Sequence, residues 1–201
     1  MVTTLPGFRD PVLDAQRTFR ALLDALARPG IPQTTASLPH PPELTPSGAA
    51  ACLTLLDLET RVWLQPGTPE AVRAWLGFHT GCRFTEVSQQ ADFAVMTDWD
   101  TLPNLAEFHW GSAEYPEAST SLLLQLPTLS GAQTVTLHGP GILESITIQT
   151  PLELAFWQQW QVMTQAYPLG VDIWCCAKDQ ILGLPRTARL VEFPQVPEVP
   201  S

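Results

Sequence analysis

The sequence predicts an α/β fold, a mixed β-sheet flanked by helices, on three observations. Short apolar strand-like runs alternate with helix-periodic segments through the first half of the chain. The second half carries paired strand patterns around turn residues, the mark of antiparallel hairpins. The 201 residues, 45% of them hydrophobic, are enough for one sizeable core. There is no internal repeat and no composition break, so residues 1–201 read as a single domain.

The elements follow in order. Asp10-Pro11 starts a helix, as an N-cap followed by proline at the first helical position. Phe19, Leu22, Leu23 and Leu26 then share a helical face expected to meet the core, and Pro29-Gly30 stops the helix. A Pro-rich linker over residues 31–46 leads to a second helix over about residues 47–57. Arg61-Val62-Trp63-Leu64 reads as a short strand closed by Pro66-Gly67, and Thr68-Pro69 opens a third helix with Val72, Trp75, Leu76 and His79 on one face. Phe93-Ala94-Val95-Met96 is a short buried strand, and Leu102, Leu105 and Phe108 suggest a short helix ended by Gly111. Residues 122–126 and 134–138 read as two strands around a turn at Ser130-Gly131, the second alternating cleanly between apolar and polar. Thr150-Pro151-Leu152-Glu153 has the form of a capping box, and Phe156, Trp160, Met163 and Tyr167 carry one face of the helix after it. Residues 171–176 and 181–184 are two strands joined by Ala177-Lys178-Asp179-Gln180. The Pro-rich tail, residues 194–201, is expected to be loose.

The charge balance narrows function. Twenty acidic residues against ten basic ones give a net charge of -10, which repels a phosphate backbone, so no nucleic acid is expected as a partner. Only 15% of residues are charged, so part of the surface is expected to be covered by another protein. Seven tryptophans, and basic residues that are arginine at every position but Lys178, fit interface chemistry. Neither a signal peptide nor a membrane span is indicated. The four cysteines contain no Cys-x-x-Cys pair and read as reduced thiols, so a cytoplasmic protein is expected.

Catalytic motifs are absent from the sequence: it has no P-loop, no Gly-x-Gly-x-x-Gly after a strand and no Gly-x-Ser-x-Gly. His40, His79, His109 and His138 fall at no metal-ligand spacing, so no metal is expected. The local candidates each have two readings. His79 is either a hydrogen-bonded histidine at a helix end or a site residue there. Gly139-Pro140-Gly141 after His138, and Ser130-Gly131, are either tight turns or backbone cradles for an anion. Arg20, one turn after Gln16, either clamps a phosphate or phosphonate bidentately or forms a structural ion pair. Asp172 lies in an otherwise apolar strand and needs a partner, which Arg186 can supply. Arg20 and Arg186 together are the expected arginine fork for an anionic substrate.

These strings together resemble the PhnH family, the H subunit of the bacterial carbon–phosphorus lyase system. The residues that carry the resemblance are Gln16-Arg17-Thr18-Phe19-Arg20-Ala21-Leu22-Leu23, Leu53-Thr54-Leu55-Leu56-Asp57, Val62-Trp63-Leu64, Phe78-His79-Thr80 and Ala91-Asp92-Phe93-Ala94-Val95. Gly111, Pro116-Glu117-Ala118, Leu129-Ser130-Gly131, Gly139-Pro140-Gly141-Ile142, Pro168-Leu169-Gly170-Val171-Asp172 and Pro185-Arg186-Thr187 continue it. Ala132 and Ala188 depart from the pattern, where a second glycine and a second threonine are expected. The resemblance implies a three-layer α/β fold like that of the pyridoxal-phosphate (PLP)-dependent transferases, but without the cofactor. It also implies a homodimer that joins the G, I and J subunits in a core complex. The resemblance further implies that this complex makes ribose 1-phosphonate 5-triphosphate from ATP and a phosphonate, and that the H subunit is required for it without an established active site of its own. Two other readings stand beside this one: a free-standing transferase or hydrolase with its site around His79, His138 and Arg186, and a pure dimeric scaffold.

Overall fold

The structure, a computed structural model, describes residues 5–192. The tail expected to be loose lies outside the described residues. Ten strands and four α-helices run in the order α1 (Pro11–Ala27), β1 (Gln33–Thr34), α2 (Pro46–Leu55), β2 (Arg61–Leu64), α3 (Glu70–Thr80), β3 (Arg83–Thr85), β4 (Phe93–Met96), β5 (Ser121–Gln125), β6 (Gln133–His138), β7 (Ile146–Thr150), α4 (Leu154–Gln165), β8 (Asp172–Ala177), β9 (Gln180–Leu184) and β10 (Arg189–Glu192).

Seven strands form one mixed sheet in the order β1-β9-β8-β5-β4-β2-β3. Strands β8, β5, β4, β2 and β3 are parallel, while β9 runs against both β8 and β1. Side chains alternate across each strand, so one sheet builds two cores. Val62, Leu64, Val95, Leu123, Trp174 and Cys176 face α1, α2 and α3. Trp63, Ala94, Met96, Leu122, Leu124, Ile173 and Cys175 face the opposite side, where α4 and a second sheet cover them. That second sheet is antiparallel, in the order β10-β6-β7.

The expected hairpin between residues 122–126 and 134–138 is not formed. Leu122, Leu123 and Leu124 are apolar on both faces and belong in the middle of the parallel sheet, whereas the half-polar alternation of β6 suits a sheet with one solvated face. Strands β1, β3, β7 and β10 are found in addition to those the sequence predicts.

The expected capping box also fails. Thr150 is the last residue of β7, paired with Gln133, so its backbone is committed to the sheet. Its hydroxyl accepts from the Leu152 amide at 3.2 Å, and the helix begins only at Leu154 after Glu153. Tyr167, placed by periodicity on the face of that helix, lies beyond its end and is exposed.

The core face of α1 differs from the expected one. Thr18, Ala21, Leu22 and Ala25 are buried, while Phe19 and Leu23 are 46% and 53% exposed. The cause is close packing: a Cβ on Gly183 of β9 would overlap the backbone of Ala25. At that separation Ala25 fits against β9 and Leu22 fills the adjoining core, so Phe19 and Leu23 are left on the outward side of the helix.

Candidate functional site

Antiparallel pairing sets Ile173 opposite Leu184, so Asp172 and Arg186 leave the β8–β9 hairpin side by side. The expected ion pair is present. The Arg186 backbone amide donates to Asp172 Oδ1 at 2.8 Å, and its Nη2 donates to Oδ2 at 2.7 Å. Nε is shared between the two carboxylate oxygens at 3.3 and 3.2 Å. Nη2 also donates to Ser119 Oγ at 2.6 Å, and Nη1 donates to the carbonyls of Pro116 at 2.8 Å and Pro168 at 3.5 Å. Every donor on the guanidinium therefore has an acceptor within the protein, and the side chains are only 12% and 23% exposed. Arg186 ties together the segment before β5, the segment before β8 and the end of β9. It is not a free fork for a substrate.

A surface groove runs over this knot. A cavity of about 370 Å³ is lined by Leu26, Pro116, Glu117, Tyr167, Asp172, Arg186 and Thr187. A neighbouring one of about 310 Å³ is lined by His138, Gly139, Pro140, Tyr167, Thr187 and Arg189. Tyr167 and Thr187 belong to both and join them. His138 and Arg189 are register partners on β6 and β10, which brings their side chains together at one end. Arg189 has no ion-pair partner among the described residues. At the end lined by Arg189, His138, Tyr167 and Thr187 the groove suits an anionic, oxygen-rich ligand, while the Glu117 carboxylate lies at the other end. The groove lies at the amino ends of β5 and β8, opposite to the carboxyl ends where open α/β sheets usually bind ligands.

The other predicted residues are scattered or structural. His79 Nε2 is 2.8 Å from the Leu5 carbonyl, and its ring sits 5.0 Å from those of both Trp75 and Phe78, so it pins the N-terminal segment against α3. The Ser130 amide donates to Thr128 Oγ1 at 3.2 Å, closing a turn, and a Cβ on Gly131 would overlap Pro151. Gly139 and Gly141 have positive φ angles of 141° and 82°. A Cβ on Gly139 would lie 2.7 Å from the Thr187 carbonyl, and one on Gly141 would strike that of Ala27. Ala27 ends α1, where carbonyls carry partial negative charge, so the face of Gly141 repels an anion rather than cradling it. Arg20 is exposed on α1 beside β1, in a separate depression with Arg17. Of the predicted residues, His138, Gly139, Asp172 and Arg186 meet at the groove, and Arg20, His79, Ser130, Gly131 and Gly141 do not line it.

Sequence reasoning missed Tyr167, Thr187 and Arg189. Periodicity places Tyr167 on a helix face, and Thr187 stands out only as the residue after Arg186. Arg189 lies on a strand too short to show a pattern. The four buried cysteines offer no nucleophile: burial pushes the Cys175 thiol up to about 12 and raises Cys52, Cys82 and Cys176 as well. Among the described residues no group of three or more His, Cys, Asp and Glu side chains could hold a metal ion. No helix among them is long and apolar enough to cross a membrane.

The chain is 38% identical over 188 residues to the alpha-D-ribose 1-methylphosphonate 5-triphosphate synthase subunit PhnH of Rhizobium meliloti (strain 1021), covering 92% of this chain and 94% of that protein. Residues 6–191, which span both sheets and the whole groove, match the family described as "Bacterial phosphonate metabolism protein (PhnH)". The chain thus belongs to the PhnH family.

Proposed function

We propose that this chain is the H subunit of an assembly that joins a phosphonate to ribose triphosphate drawn from ATP, and that it contributes binding surface rather than chemistry. The observation that carries this reading is the end-to-end similarity to a synthase subunit, at 38% identity over 92% of the chain. The partners are the G, I and J subunits, and the chain by itself is a homodimer. The groove between Arg189, His138, Tyr167 and Thr187 receives the anionic substrate or an anionic group of a neighbouring subunit, with the Arg186–Asp172 knot fixing its floor. The fold is a cofactor-free relative of the PLP-dependent transferases, a reading supported by a seven-stranded sheet in which β9 alone opposes its neighbours. Lys178 is exposed at the tip of the β8–β9 hairpin, with none of the desolvation that a Schiff-base lysine needs.

The test is reconstitution. Adenine release from ATP in the presence of methylphosphonate is measured for the full assembly, for the assembly lacking this chain, and for this chain alone. Activity is expected only from the full assembly, and Arg189→Glu is expected to lower it about tenfold or more by reversing the charge in the groove. Turnover by the isolated chain would replace this reading with that of an independent enzyme.

A further inference from the structure

The outward face of α1 carries two adjacent lines of side chains. Val12, Phe19 and Leu23 form one and are 76%, 46% and 53% exposed; Leu13, at 60%, begins the other and is followed by Arg17 and Arg20. Such a face is unusual on a helix whose core side is already satisfied by Thr18, Ala21, Leu22 and Ala25. Beside it, a depression of about 390 Å³ against edge strand β1 is lined by Leu13, Arg17, Arg20, Asp24, Gln33 and Thr34. Asp24 pairs with Arg28 at 3.7 Å, whereas Arg17 and Arg20 have no carboxylate partner among the described residues.

From this we infer that the outer face of α1 is the docking surface for a different protein subunit, one that presents apolar side chains flanked by carboxylates. This rests on the subunit reading above and says where a partner sits. Charge selects the occupant. The chain carries -10 overall, so most of its surface repels an acidic partner, and two unpaired arginines beside exposed Phe19 and Leu23 give that partner one favourable orientation. A second copy fits worse, because an antiparallel two-fold contact centred on Phe19 gathers Arg17 and Arg20 of both copies along one edge.

Two double variants of the full chain test this: Phe19→Asp with Leu23→Asp, and Arg17→Glu with Arg20→Glu. Each is co-expressed with the other subunits of the assembly, and their capture by the tagged chain is quantified beside its thermal midpoint and its mass by light scattering. All four side chains face solvent, so thermal midpoints are expected to stay at the wild-type value, while each pair lowers capture about tenfold or more. Arg17→Lys with Arg20→Lys, which keeps the charge, retains part of the capture, and added salt weakens wild-type capture. Undiminished capture by both charge-altering pairs overturns the inference and leaves the subunit reading intact. Loss of the chain's own dimer with capture preserved overturns it in favour of a second copy. Binding of the wild-type chain to phosphatidylserine vesicles that both pairs abolish, with capture unchanged, overturns it in favour of a membrane. A wild-type chain that captures no partner sinks the subunit reading itself, and the inference with it.

Discussion

Arg186 and Asp172 are 12% and 23% exposed, and their pairing is joined by bonds to Ser119, Pro116 and Pro168. Removing one member of such a pair leaves the other charge desolvated and alone, which is far more damaging than losing a surface ion pair. Arg186→Ala is therefore expected to destabilise the fold by about 3 kcal/mol or more. Arg186→Lys keeps the charge, but lysine's single ammonium cannot reach the carboxylate, the Ser119 hydroxyl and the backbone carbonyls at once, and a loss of about 1–3 kcal/mol is expected. Urea unfolding measures both. An Arg186→Lys protein as stable as wild type would show that the knot is not what fixes the groove floor.

At the scale of elements, the approach of α1 to β9 decides which residues face outward. Gly183 has the Ala25 backbone where a side chain would be, while Gly77, inside α3, has only the Phe84 ring at 3.5 Å, an ordinary contact. The same substitution is thus expected to act with opposite signs. Gly183→Ala forces helix and sheet apart and lowers stability by about 1–3 kcal/mol. Gly77→Ala removes glycine's entropy from a helix interior and raises stability by about 0.5–1 kcal/mol. Thermal or urea unfolding of the two variants decides the matter, and a Gly183→Ala protein as stable as wild type would remove close packing as the reason Phe19 and Leu23 are exposed.

For the molecule as a whole, the two cores share an alkaline weakness. Cys52 and Cys176 lie on the helix side of the sheet and Cys175 on the other, and burial raises all three thiols, Cys175 to about 12. In the unfolded chain a thiol loses its proton near pH 8.5, so above that pH the unfolded state binds fewer protons than the folded one. Stability is then complete below about pH 8.5 and falls as pH rises, by up to about 1.4 kcal/mol per pH unit for each thiol, until the folded thiol itself ionises. Thermal midpoints measured from about pH 8 to 10.5 should decline, and a Cys175→Ala, Cys176→Ala double variant should start lower and decline less steeply. Parallel curves for the two proteins would show that thiol burial does not drive the decline.

What local chemistry controls is legible in the order of the amino acids. The Asp10 cap of α1, strands β2 and β4, and the β8–β9 hairpin follow from caps, turn residues and periodicity within a few positions of one another. Opposite-facing Cys175 and Cys176 follow from strand geometry alone, and Asp172 announced its need for a partner because a carboxylate in an apolar strand cannot stay unpaired. The order of matching strings likewise pointed to the family. Which strands share a sheet is settled by the folded arrangement, since β5 and β6 are neighbours in sequence yet lie in different layers. It alone turned Phe19 and Leu23 outward, because the spacing between α1 and β9 is set by a glycine more than a hundred residues away in the chain. It also assembled the groove, whose Tyr167, Thr187 and Arg189 meet His138 through strand pairing and the Arg186 knot. Periodicity reports which face of an element is apolar; what that face meets depends on contacts between residues far apart in the chain, and these carry no local signal.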